Sequence, residues 1–283
     1  MGELPAGARL GAIRLRVGDA AAMRSFYETA IGLSALGTEN GLTALGADGG
    51  EPLVELVADP HAPPRPPRST GLFHLALLTP TRADLSRALR RVVASGWRLT
   101  GASDHLVSEA LYLSDPEGNG IELYRDRPRD DWEILDDGLR MDTLPLDLDS
   151  LLAEPGGAEA DTGMARGTTL GHVHLQVADL RPAEAFWAGA LGFDVTVRGY
   201  PGALFVSAGG YHHHVGLNTW AGVGVPRPPA GARGIDRFEL VLPDAASVEA
   251  ATDRLAQVAA VDRADGGALA ADPSGNSVLV RSA

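Results

Sequence analysis

Five of the eight histidines in this 283-residue chain fall close together: His172, His174, His212, His213 and His214. Imidazole is a borderline-soft metal ligand and a base that titrates near neutrality. Such a cluster points to metal binding or proton transfer. The chain has no cysteine, which excludes thiolate sites, disulfides and a thiol nucleophile. Imidazole and carboxylate remain, a donor set that suits iron, manganese, zinc or nickel. Strand alternation decides which of these groups share a face. Val173, Leu175 and Val177 form an apolar set, so His172, His174 and Gln176 turn the other way. Val215 and Leu217 likewise group His212, His214 and Asn218 on the inward face, with His213 on the apolar side or at the strand's entry. Phe238, Leu240 and Leu242 leave Glu239 facing inward. Three strands therefore offer His172, His214 and Glu239 as a two-histidine, one-carboxylate set, with His174 or His212 as a further ligand or base. A second set comes earlier. Phe73, Leu75 and Leu77 form a core face, which turns His74 inward, and Ile121 and Leu123 do the same for Glu122.

These side chains are carried by a repeated unit. Leu10-Gly11, Val17, Asp19, Phe26, Ala30 and Gly32 recur as Leu170-Gly171, Val177, Asp179, Phe186, Ala190 and Gly192. Asp115-Pro116-Glu117-Gly118-Asn119 is echoed by Asp272-Pro273-Ser274-Gly275-Asn276. A repeat this long is a duplicated domain. Each half divides again into strand, helix and three strands, with Asp19 as a helix N-cap and Gly32 as its stop. The predicted fold is α+β, with four βαβββ units. The helix covers one face of each small sheet, and the other face is open. Two consecutive units joined edge to edge would wrap their open faces around a cavity. The expectation is two paired, barrel-like domains, 8–126 and 169–283. Residues 127–168, acidic and then rich in glycine and alanine, form a linker and docking arm with a short helix near Leu146–Leu152.

A net charge of −13 argues against nucleic acid and against an anionic membrane surface. No apolar run approaches the ~20 residues of a membrane span. The N-terminus lacks a basic start followed by an apolar stretch, so no signal peptide is expected and a cytoplasmic location is. The glycine-rich stretches lack phosphate-binding spacing. The expected partner is a small-molecule substrate, with a homo-oligomer left open.

Gly171-His172-Val173-His174-Leu175-Gln176-Val177, the helix end Phe186-Trp187 through Leu191-Gly192-Phe193, and the run Leu113 to Tyr124 around Asp115-Pro116-Glu117-Gly118-Asn119 carry a family resemblance. The chain resembles the vicinal oxygen chelate superfamily of glyoxalases, bleomycin-resistance proteins and extradiol dioxygenases, and within it the two-domain bacterial catechol-dioxygenase-like group. The resemblance implies a divalent metal, Fe(II) for a dioxygenase, with His74 and Glu122 at ligand positions. It implies that Tyr112 and His105 handle substrate protons. The family's first histidine would fall at Ala12, where Glu55 could substitute as in glyoxalase-type sites. His172 matches a family ligand in the second half, and Leu279 there stands where the first half has Glu122. The implied reaction is oxidative cleavage of a catechol or vicinal diol. A metal-free protein that sequesters an aromatic or antibiotic-like molecule is one alternative, and a glyoxalase-type isomerase or lyase is another.

Overall fold

Asp19 accepts from the backbone N–H of Ala22, and Gly32 ends the same helical segment in the left-handed region. Such punctuation recurs through the chain. The computed structural model describes residues 3–135, 138–158 and 163–283. Asp136, Asp137 and residues 159–162 of the expected linker lie outside them.

The first unit contains β1 (Arg9–Val17), α1 (Ala20–Phe26), β2 (Ser34–Glu39), β3 (Leu42–Gly46) and β4 (Pro52–Ala58). The second contains β5 (Gly71–Leu78), α2 (Arg82–Ala94), β6 (Gly101–Asp104), β7 (Ser108–Ser114) and β8 (Gly120–Asp126). Short pieces follow: β9 (Ile134–Leu135), β10 (Gly138–Leu139), β11 (Leu144–Pro145) and α3 (Leu148–Leu152). The third unit contains β12 (Thr169–Gln176), α4 (Leu180–Glu184), β13 (Asp194–Val197), β14 (Ala203–Ser207) and β15 (Val215–Asn218). The fourth contains β16 (Gly234–Leu242), α5 (Ala245–Leu255), β17 (Val261–Ala264), β18 (Gly267–Ala271) and β19 (Ser277–Ser282). The fold is thus mixed α+β, mostly sheet, built from four βαβββ units as expected.

The units pair differently from the expectation. One sheet has the order β17-β18-β19-β16-β1-β4-β3-β2, which joins the first unit to the fourth. The other runs β11-β6-β7-β8-β5-β12-β15-β14-β13-β10-β9, joining the second unit to the third. Each join is an antiparallel contact between the opening strands of two units, β1 with β16 and β5 with β12. Both sheets stay open; neither closes into a barrel. The short strands after β8 cap both ends of the second sheet: β11 pairs with β6, and β10 pairs with β13.

One continuous apolar core runs through both sheets and the helices. Leu15, Leu75, Val173 and Phe238 enter it from the four opening strands, with Met23, Leu89, Trp187 and Leu255 from the helical segments. Ring overlap of Trp187 on Phe238 adds aromatic packing. The repeated Asp-Pro turns tie units of the same half together. Asp115 accepts from the N–H groups of Glu117 and Asn119, from the Asn119 amide and from the Tyr27 hydroxyl. Asp272 accepts from Ser274 N, Asn276 N, Asn276 Nδ2 and Trp187 Nε1. Removing either carboxylate strands several buried donors. Asp272→Ala is expected to lower stability by about 3 kcal/mol. Urea unfolding checks this, and a loss below about 1 kcal/mol would show that the turn holds without its side chain.

Candidate active site

His74 on β5, Glu122 on β8 and His172 on β12 meet at one buried point. The Glu122 Oε2 atom lies 3.0 Å from His74 Nε2 and 3.1 Å from His172 Nε2. One ligand atom from each residue falls within 4.8 Å of the others. The strand register explains the meeting. Glu122 is level with Ala76 of β5, and so is His172 of β12. Both therefore flank the strand that carries His74.

The environment favours a cation. Burial alone would raise the Glu122 carboxyl, but the charges and hydrogen bonds of His172 and His74 hold it well below the usual range. Burial lowers His172 to about 4 against the pull of Glu122, which keeps its imidazole neutral, and an ion would take the place of the proton that its Nε2 directs to Glu122. His74 Nε2 is buried and meets, among the described residues, the same Glu122 oxygen at 3.0 Å but in poor hydrogen-bond alignment. A poorly paired imidazole nitrogen beside a shared carboxylate oxygen fits a metal ion, because a polar atom left without a good partner in the interior is costly. A divalent ion would be held by His74, Glu122 and His172.

This point opens into a cavity of about 570 Å³. Tyr112, level with Glu122 in the β7–β8 ladder, lines it with His105. The Tyr112 hydroxyl lies 2.6 Å from His105 Nε2, and His105 Nδ1 lies 2.7 Å from the Asp142 carbonyl oxygen. A carbonyl only accepts, so His105 carries its proton on Nδ1 and accepts from Tyr112 at Nε2. Burial and then the Glu122 charge raise the Tyr112 phenol well above its usual range. His174 is also in the wall. Burial and the neighbouring His74 hold it neutral, and its Nε2 has no partner.

Several expectations need correction. Glu239 lies in the other sheet, where its Oε2 accepts from Arg281 Nε and from the Ala12 N–H. Glu55 is in that sheet too, bound by Arg14 Nε at 2.7 Å. Ala12 is therefore not the third corner of the His74–Glu122 site. His172 takes that corner, because the third unit and not the first is paired with the second. His214 turns away from the cavity, accepting at Nδ1 from Ser207 Oγ and Ala208 N. β15 begins only at Val215, so alternation has no force over the preceding turn. His172, His214 and Glu239 do not converge. His212 does not line the cavity but stands behind it, between Asp126 and His213. His213 lies at the strand's entry, the second of its two expected places, and lines the cavity, its ring 4.1 Å from that of His172. Leu279 is level with Glu239 as Glu122 is with Ala76, so a leucine stands in the first sheet where the second has its carboxylate, and Glu239 is neutralised by Arg281 instead. The inner face of the first sheet is thus filled by Arg–Glu pairs.

Phe73 also departs from the expectation. The β5–β12 register slips between His174 and Leu175, opposite Phe73. The slip is a β-bulge, which re-aims the extra side chain. Phe73 leaves the core face and packs against His174 and Trp220 at the cavity wall. A glycine in the sequence signals the other local feature. Gly216 is level with His174 as Glu122 is with Ala76. A Cβ at Gly216 would lie 2.9 Å from the His174 ring. His174 therefore fills the space from which a fourth, symmetry-related ligand would reach in.

Comparison with known proteins follows this geometry. The family model of the glyoxalase/bleomycin resistance protein/dioxygenase superfamily matches residues 9–123 and 169–279. A catechol-2,3-dioxygenase of Bacillus subtilis is 44% identical over 250 residues, spanning 87% of each chain. Among solved structures, a Bacillus subtilis protein superposes with a TM-score of 0.67 at 12% identity, covering 99% of this chain and 86% of that one. Glyoxalase I from Zea mays superposes at 0.58 with 18% identity, covering 97% and 92%. Among the described residues, no helix is long and apolar enough to cross a membrane.

Proposed function

The chain belongs to the glyoxalase/bleomycin resistance protein/dioxygenase superfamily, and on that premise we propose that it is a metal-dependent extradiol-type dioxygenase acting on a catechol or related vicinal diol. The observation that carries this reading is the meeting of His74, Glu122 and His172 at one buried point. Two imidazoles and one carboxylate leave other coordination positions open, the pattern of non-haem iron oxygenases. Fe(II) is the ion this reading calls for, and the same donors accept manganese, zinc or nickel. Bound there, it would supply Lewis acidity and charge transfer between the diol and O2. The glyoxalase-type alternative wants a carboxylate on the fourth strand, and Gly216 stands there.

The chain's own residues would orient the diol and manage its protons. A diol hydroxyl approaching Glu122 meets the Tyr112 oxygen, whose own hydrogen is directed to His105 Nε2. His105 is partly exposed, so a proton passed along this pair can leave to solvent. His213 offers a second acceptor. Asp126 accepts from His212 Nε2 at 2.9 Å, which leaves His212 Nδ1 as acceptor for His213 Nδ1 at 2.7 Å. Burial holds His213 well below the usual histidine range. Its Nε2 therefore presents a bare lone pair to the cavity, which can accept a hydrogen bond from a substrate hydroxyl. Phe73, Phe205 and Trp220 line the cavity and exclude water from a planar ring.

The test is oxygen uptake by protein purified without an affinity tag and loaded anaerobically with Fe(II). Adding catechol should consume about one O2 per ring opened, consistent with the balanced reaction. Uptake should be absent without the metal. Metal-loaded protein that isomerises a hemithioacetal and takes up no O2 would overturn the dioxygenase reading in favour of the glyoxalase one. Protein that binds no metal would favour sequestration of an organic ligand.

A further inference from the structure

Arg65 stands in the proline-rich connector between the first two units and lines the same cavity. Its Nη1 donates to Gln176 Oε1 at 3.0 Å and to the Thr70 carbonyl at 3.5 Å. Among the described residues, no carboxylate lies within ion-pair reach of it. That is unusual in a chain of net charge −13, where most inward-facing arginines are matched, such as Arg14 by Glu55 and Arg281 by Glu239. Burial pulls its pKa below the usual guanidinium value with no opposing partner. A half-buried charge without a counter-ion is costly unless a ligand supplies one.

The backbone makes room for this side chain. Gly71, at φ +130°, would bring a Cβ within 2.9 Å of Arg65 Nη1. A side chain at the start of β5 would displace the guanidinium from the cavity. Gln176, level with Gly71 across the β5–β12 pair, offers its amide NH2 as a second donor. Two neighbouring arginines also lack carboxylate partners among the described residues. Arg227 donates to the Pro273 carbonyl, and Arg68 Nη2 would lie 3.2 Å from a Cβ at Gly222, two positions from the cavity residue Trp220. Of these three arginines Arg65 is the one that lines the cavity, and an anion placed there would meet its guanidinium directly.

We propose that Arg65, supported by Gln176, is the specificity-determining site for an anionic substituent on the substrate, so that the preferred diol carries a carboxylate on a short side chain. The bulge at Phe73 shortens the step from His74 to Gly71, and their partners His174 and Gln176 are two residues apart, roughly 7 Å at the strand rise. A ring seated by His74 and Glu122 therefore presents a substituent of two or three carbons to Arg65. The guanidinium fork matches a carboxylate through two parallel hydrogen bonds. The inference rests on the proposed site at His74, Glu122 and His172 for the position of the ring.

The test compares a catechol bearing a propionate side chain with the same catechol bearing a propyl chain. Iron-loaded parent, Arg65→Gln and Arg65→Lys are assayed for turnover, and zinc-loaded protein is titrated under nitrogen by tryptophan fluorescence. Arg65→Gln should weaken binding and kcat/KM for the propionate probe about thirtyfold, from the strength of hydrogen bonds to charged groups. The propyl probe should change less than about threefold, and Arg65→Lys should fall between, because a point charge replaces the fork. Equal handling of both probes by the parent, or equal loss for both in Arg65→Gln, would overturn the subsite while leaving the dioxygenase reading intact. Charge-selective binding that depends on Arg65, found with no turnover of either probe, would support the subsite and count against the dioxygenase reading.

Discussion

Glu122→Gln should yield a folded protein that no longer holds its metal. The carboxylate oxygen stands within 3.1 Å of both imidazoles, so among the described residues it brings the negative charge to the point where an ion would sit. An amide keeps the shape and loses that charge. Loss of outer partners alone costs metal sites roughly 10–100-fold in affinity, so loss of this ligand should cost at least about a hundredfold. Metal content should fall from about one ion per chain to near zero after dialysis, and oxygen uptake with it. His74→Ala and His172→Ala should behave alike. Glu239→Ala, Glu55→Ala and His214→Ala provide the contrast. Glu239 and Glu55 neutralise Arg281 and Arg14 in the other sheet, and His214 is bonded to Ser207. Each of these variants should keep the parent's metal. If Glu239→Ala lost the ion and Glu122→Gln kept it, the site would lie in the first sheet and the proposed assignment would fall.

That contrast marks where local sequence information ends. Alternation along β5, β8 and β12 turns His74, Glu122 and His172 inward, because each strand buries one apolar face, even though the β5–β12 register slips beside His172 and at Phe73. The Asp-Pro turns were equally legible, since their Asp and Asn side chains bond within five residues. Pairing of the units was not. All four units present similar opening strands, and nothing local distinguishes the β5–β12 edge from a β1–β5 edge. The site depends on that pairing: consecutive units would set His172 with Glu239 and Ala12 opposite His74, whereas the β5–β12 edge sets His172 with Glu122. Two smaller departures have local causes. Strand alternation does not hold for His214, which lies in a turn, and a bulge turns Phe73 out of the core. Glu239 inward was the right face of the wrong sheet, where Arg281 already neutralises it. Arg65 carried no signal at all, because a connector has no periodicity from which to infer a direction.

Acid should unfold the metal-free protein well before it protonates an ordinary carboxylate. Burial lowers His172 and His214 to about 4, against about 6.5 in an unfolded chain. His174 and His213 are also held well below the usual range, by burial first and then by neighbouring imidazoles. The sign follows from proton counting. Between the two pKa values the unfolded chain binds a proton that the folded one refuses, so stability rises with pH there. The contribution of each group is complete above about 6.5 and is lost as pH falls toward 4. At pH 5 a single histidine of this kind gives up about 2 kcal/mol, and His172 with His214 about 4 kcal/mol. Against a total of about 5–15 kcal/mol, that is enough to bring the apo protein near its unfolding midpoint. Urea titrations at pH 7 and pH 5 read the difference directly. His214→Asn removes one such group away from the metal site and should reduce the pH dependence by about half the two-histidine sum, whatever its cost at pH 7. Metal loading should raise the whole curve without flattening it, because an ion on the neutral imidazoles makes the folded chain refuse their protons still more strongly while the unfolded chain continues to bind them. A stability that is the same at pH 7 and pH 5 would mean that these histidines are open to water in solution, and the closed, dry site would then have to be abandoned.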